Sequence, residues 1–139
     1  AHYCEQMVVD AGFRRNDPAI RLGQLAEALV RLTRCVVAIR LHCEDLSVEQ
    51  GVRLFRDEAY LEEASARREA ERGTFDPSYL VYAVGKLALL KLRHDVEERR
   101  GDAFSLRAFH DELLAQGNAP FAAHRRLLLP DQPDGAVLA

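Results

Sequence analysis

The chain has 139 residues, enough for one compact domain with a real core. Hydrophobic residues make up 48%, which excludes a disordered chain, and the formal net charge of -3 comes from mixed acids and bases, without the basic face of a nucleic-acid binder. No apolar run is long enough to span a bilayer; the best candidate, Tyr79 to Leu92, is interrupted by Lys86 and Lys91. The opening "AHYCEQM" lacks the basic start and apolar stretch of a signal peptide.

Apolar residues recur at three and four rather than two, which predicts helices throughout and no strand. The first helix runs from Ala1 to about Ala11 and stops at Gly12. Asp17-Pro18 opens a long helix to about Cys43, with Asp as cap and Pro in the first turn. Ser47, with Gln50 three residues later, forms a capping box for a helix to about Ala59. "DEAYLEEASARREAERG" is polar nearly all round and reads as an exposed helix ending near Gly73, or as a poorly packed connector. Asp76-Pro77 repeats the cap signal and opens a second apolar helix to about Arg99, broken by Gly101. Ser105 caps "LRAFHDELLAQG", with Leu106, Phe109, Leu113 and Leu114 inward and Gly117 as stop. A short helix follows Pro120. The expected architecture is all-α and bundle-like, with about six helices, two of them long and apolar. Residues 1–129 form a single helical domain and 130–139 a flexible tail.

Cys35 and Cys43 are eight apart on one predicted helix, roughly 12 Å along its axis, too far for a disulfide within it. With Cys4 they read as free thiols, and no Cys/His pair has zinc-ligand spacing. No GxSxG, P-loop, GxGxxG or HExxH segment occurs. His110-Asp111 points in two directions on a helix and reads as structural.

The first long helix sorts its residues sharply. Leu22, Leu25, Leu29, Leu32, Val36, Ile39 and Cys43 alternate at three and four, the seam of a packed helix pair. Val30, Thr33, Val37 and Leu41 widen that apolar arc. A narrow strip carries Glu27, Arg31, Arg34, Ala38, His42 and Asp45, with Arg40 outside it. On this spacing the helix is buried around most of its girth and keeps one polar stripe. The second long helix places Tyr82, Lys86, Arg93 and Glu97 in one strip, while Lys91 points into its apolar side and is expected to snorkel. Such stripes are either solvated faces or the lining of a shared cleft; in a cleft their charges need partners or a ligand.

Four segments carry a resemblance: "AHYCEQMVVDAGF", "RCVVAIRLHCEDLSVEQGVRLF", "EAERGTFDPSYLVYAVGKLALLKLR" and "FSLRAFHDELLAQGNAPF". In this order, over about Ala1 to Leu129, they resemble the C-terminal part of a bacterial domain-of-unknown-function family, number 885. Its members are large, mostly helical proteins that look like zinc metallopeptidases. The resemblance implies that an HExxPGHH-type segment supplies two zinc-binding histidines and a general-base Glu. An E-G-W-A-x-Y-x-E segment supplies a third ligand, its first Glu, which would fall three residues before Ala1. The chain then reads as a C-terminal fragment with no cofactor of its own, zinc belonging to the full-length parent. It would be inactive alone and would line the parent's cleft for a peptide-like substrate.

The resemblance also implies roles. His2 and Glu5 would stand beside the metal without binding it. The family pattern R-x-V-V-D-I-x-L-H matches Arg34 to His42, with Ala38 where members carry an acid, and Y-x-x-G-K matches Tyr82, Gly85 and Lys86. Tyr82 is the candidate to hydrogen-bond a transition-state oxyanion, with His42 second. Arg34 or Lys86 would bind a substrate carboxylate. The expected partners are the missing N-terminal portion and a second copy of the chain, with no nucleic acid and no membrane. The alternative is a stand-alone helical binding or oligomerisation module without catalysis.

Overall fold

A computed structural model describes residues 1–132 and 135–138. Among the described residues it is all-α, with seven α-helices and no strand: α1 (His2–Asp10), α2 (Pro18–Cys43), α3 (Val48–Asp57), α4 (Glu63–Gly73), α5 (Val81–Arg100), α6 (Leu106–Ala115) and α7 (Phe121–Leu128). Short 3-10 turns occupy Pro77–Leu80 and Gly101–Ala103. No described helix is long and apolar enough to cross a membrane. Packing divides the chain into two compact units, Ala1–Val84 and Gly85–Ala139.

Local chemistry sets the helix starts. The Asp17 carboxylate accepts from the Ala19 N–H with Pro18 in the first turn, and Ser47 and Gln50 close a reciprocal capping box. Ser105 accepts from the Ala108 N–H. Asp76 accepts from the Ser78 N–H but opens the 3-10 turn, so the α-helix proper starts at Val81. Gly12 and Gly101 lie at φ of 96° and 52°, a region that only glycine enters without strain, and each follows a helix end.

In the first unit α2 is the central element. It packs against α1, α3, α4 and the Pro77–Leu80 turn, and α3 packs along α4. The core is Val37, Ala38, Leu46, Val52, Phe55, Ala59, Ala66, Ala70 and Tyr79, with Val30 and Leu41 against it. Three expectations need correction here. The two long helices are present, but they are not long apolar helices. In α2 the seam expected to be buried faces solvent: Leu22, Leu25, Leu29, Leu32, Val36 and Ile39 are 37% to 69% exposed. The middle of the stripe read as polar lies on the packed side, with Ala38 buried and Arg31 and Arg34 largely covered, while Glu27, His42 and Asp45 of the same stripe are exposed. The segment read as an exposed helix or a loose connector is α4. It buries Ala66, Ala70 and Gly73, small residues at intervals of four and three that let α3 and α2 come close.

In the second unit Leu92, Val96, Phe109 and Leu129 form the core, with Leu106 and Leu113 packed against it. Leu114, expected inward, is 75% exposed. Lys91 does not merely snorkel; its Nζ donates to Asp95 Oδ1 and Oδ2 at 2.6 and 2.8 Å. Buried Asp95 also takes a hydrogen bond from the Arg125 guanidinium, and Arg125 Nε donates to the Gln132 carbonyl at 3.1 Å. Of the tail expected at 130–139, Pro133, Asp134 and Ala139 lie outside the described residues.

Candidate functional site

Three side chains of the α2 stripe, Arg31, Arg34 and His42, are each met by a carboxylate or a carbonyl from another element. At the α1 end, Arg31 forks onto Glu5, Nη1 to Oε2 at 2.7 Å and Nη2 to Oε1 at 2.9 Å. His2 is buried beside this pair, its Nδ1 3.9 Å from Glu5 Oε2. One turn further on, Arg34 forks onto Glu69 of α4, Nε to Oε2 at 2.7 Å and Nη2 to Oε1 at 2.6 Å. The Tyr79 hydroxyl donates to the same carboxylate at 3.1 Å and lies 3.2 Å from the Glu69 carbonyl. Arg34 and Arg72 both lie against the Tyr79 ring, 5.4 and 5.1 Å from its centroid, and Arg72 is held by Asp76 at 2.9 Å.

The electrostatics follow from these contacts. Burial pushes the Glu69 carboxyl up, but the hydrogen bond and charge of Arg34 outweigh it and leave the group below the usual range. The same bond raises Arg34. Burial, reinforced by the charge of Glu69, pushes the Tyr79 hydroxyl well above its ordinary value, so it stays a proton donor at neutral pH.

At the last turn of α2, His42 Nε2 lies 3.0 Å from the Gly73 carbonyl oxygen. A carbonyl only accepts, so Nε2 carries the proton; in the neutral ring Nδ1 then holds the lone pair. The helix end and the Gly73 carbonyl together fix the ring.

The residues singled out in the sequence are thus distributed unevenly. His2 and Glu5 come together, with Glu5 engaged by Arg31. Arg34 does hold a carboxylate, that of Glu69. His42 and Tyr82 belong to the first unit, on the last turn of α2 and the first turn of α5, and Tyr82 is 49% exposed. Lys86 lies half-buried in the second unit. Glu69, Arg72 and Tyr79 were not picked out in the sequence. Cys4, Cys35 and Cys43 are free thiols. Among the described residues no group of three His, Cys, Asp or Glu side chains could hold a metal ion, so these residues do not fit a zinc site.

Comparison with known proteins adds one match. A family described as "Bacterial protein of unknown function (DUF885)" matches residues 1–128. The chain belongs to this family. Its members are bacterial and the family's function is unknown, so DUF885 membership assigns no reaction. No curated protein matches the chain, and no solved structure does.

Proposed function

We propose that this DUF885 chain is the helical portion of a zinc-dependent peptidase or related hydrolase. In this reading it forms part of the substrate cleft, and the metal-binding residues are supplied by another part of the parent protein. The observation that carries the reading is the orientation of α2. A stripe that was only a solvated face would leave Arg31 and Arg34 in water; both instead turn inward onto Glu5 and Glu69, which leaves exposed His42 at the end of the stripe, and half-exposed Tyr82 on α5, as the groups a substrate can reach.

The roles sort by chemistry. The His42 Nε2–H is given to the Gly73 carbonyl, so that proton is not free for an oxyanion. Oxyanion donation therefore falls to Tyr82, and His42 offers a lone pair at Nδ1. Arg34 is committed to Glu69 and serves to hold α2 on α4.

The test uses the intact parent protein. Zinc content and hydrolysis of unblocked peptides are measured for the natural protein and for Tyr82→Phe. The expected loss in kcat is on the order of 100-fold with zinc content unchanged, the usual effect of removing one oxyanion donor. Undiminished kcat in Tyr82→Phe removes Tyr82 from the mechanism, and an intact protein without zinc or hydrolysis removes the reading itself.

A second reading is favoured by a different observation. The exposed leucine face of α2 suits a helical binding or oligomerisation module that catalyses nothing.

A further inference from the structure

The outward face of α2 carries Leu22, Leu25, Leu29, Leu32, Val36 and Ile39 at intervals of three and four, all exposed. A repeat averaging 3.5 residues stays in register only with another helix lying nearly parallel or antiparallel to it. The occupant of this face is therefore a helix with a matching seam. From these side chains we infer that it is α2 of a second copy of this chain, packed antiparallel about a two-fold axis near Val30 and Arg31. The inference stands apart from the hydrolase reading and lies wholly within the first unit.

Symmetry supports it first. The midpoint of the helix Pro18–Cys43 falls between Val30 and Arg31, and so does the midpoint of the aliphatic part of the seam, Leu22 to Ile39, which leaves Cys43 beyond it. An antiparallel copy thus overlaps the whole helix and the whole aliphatic seam at once. Leu22 of each copy meets Ile39 of the other, Leu25 meets Val36, and Leu29 meets Leu32. A leucine faces a β-branched residue or another leucine in every layer, so no layer stacks two β-branched side chains.

The flanks of the seam fit the same partner. The helix positions beside it are Ala26, Ala28, Thr33 and Cys35, small and uncharged, with Ala28 and Thr33 buried in their own unit, so no charged side chain of these positions keeps two helices apart. The arginines at its ends are neutralised within their own chain: Arg21 lies 3.1 Å from Asp10 and Arg40 lies 3.2 Å from Glu44. Antiparallel packing also opposes the two helix dipoles.

The area reaches the size required. The seam presents on the order of 400 Å² of apolar side chain per copy, so pairing covers roughly 800 Å² before its flanks. Leu54 of α3 and Glu58 just after it line a groove of about 360 Å³ with Leu29, Leu32 and Val36, and a helix seated on the seam also covers Leu54. The total comes to about 1,000 Å², where specific interfaces begin.

The test is sedimentation equilibrium of the chain at tens of micromolar, with the mass of two copies expected. Leu29→Glu places a charge in both central layers; it should weaken pairing at least ~100-fold while the helix content seen by circular dichroism is kept. Orientation is read by cross-linking. In a background of Cys4→Ser, Cys35→Ser and Cys43→Ser, chains carrying Leu22→Cys should link through a short bis-maleimide to chains carrying Ile39→Cys, and neither kind should link to itself. A monomer at every concentration overturns the inference. So does efficient linking of native Cys43 to itself, because antiparallel pairing about Val30 and Arg31 holds the two copies of Cys43 at opposite ends of the pair. A monomer that binds a synthetic a/d-patterned helix gives the seam to another chain and equally overturns self-pairing.

Discussion

Arg34 and Glu69 meet fork to fork across 35 residues of sequence, with both nitrogen-to-oxygen distances under 3 Å. The pair ties the middle of α2 to α4, and Tyr79 adds its hydroxyl to the same carboxylate. Arg34→Met removes the fork and leaves Glu69 largely covered with one neutral donor. The expected loss of stability is about 2 kcal/mol, the range for a partly buried charge losing its partner. Arg34→Lys should recover only part, since an ammonium cannot fork. Urea unfolding checks both, and an unchanged midpoint for Arg34→Met would refute the role given to this pair.

Acid should lower the stability of the protein in two steps. Burial lowers His110, and the nearby charge of Arg93 lowers it further, below the ordinary imidazole value. Burial pushes Asp95 up, but its hydrogen bonds from Lys91 and Arg125 outweigh this and leave it below the usual carboxylate range, as Arg34 does for Glu69. A group whose folded pKa is depressed binds its proton more readily unfolded, so its stabilisation is complete above the unfolded pKa and drains away as pH falls through the folded one. The histidine contribution therefore begins to fade below about 6.5 and the two carboxylate contributions below about 4. Urea midpoints between neutral and acid pH should be flat, then fall gently, then steeply. Glu69→Gln should flatten the steep part, and an unaltered steep part would rule Glu69 out of it.

Asp95 neutralises two cations in the second unit, Lys91 and the nearly fully buried Arg125. Asp95→Ala leaves both without that carboxylate, at an expected cost of about 3 kcal/mol. Asp95→Asn keeps the shape and an acceptor and should cost less. Thermal unfolding distinguishes the two, and equal stability of Asp95→Ala and the natural protein would contradict the packing described.

Two glycines should respond in opposite directions. A Cβ on Gly51 would lie 3.3 Å from the Ala70 Cβ and 3.5 Å from Val37, so Gly51→Leu wedges α3 away from α4 and should cost about 3 kcal/mol. Gly23 is an exposed helical position with nothing within 4 Å, and Gly23→Ala should stabilise by up to about 1 kcal/mol. A destabilised Gly23→Ala would mean that α2 has a neighbour on that side.

What the sequence made readable was local. Asp17, Ser47, Asp76 and Ser105 announce their caps because each cap joins residues only two or three apart. Spacing likewise divides α2 into an apolar seam and a polar stripe. It cannot say which side turns inward, because the carboxylates that decide this stand 26 residues before Arg31 and 35 after Arg34. Glu69 was hidden by the charges around it in "SARREAERG"; the usable signal was Ala66, Ala70 and Gly73, small residues on one edge of α4. Tyr79 needed the fold, since its ring gains meaning only once Arg34 and Arg72 are brought to it. His42 was singled out in the sequence, but the carbonyl that fixes its proton was not.

The arrangement of α2 inverts the usual ranking of replaceable positions. Choosing substitutions by hydropathy would spare Leu25 and Leu32 as core and sacrifice Arg31 and Arg34 as surface. In this protein the leucines are the ones that polar residues can replace without unfolding the first unit, as in redesign for solubility or crystal growth. The arginines are the fixed framework, and even a conservative exchange there weakens a clamp between helices.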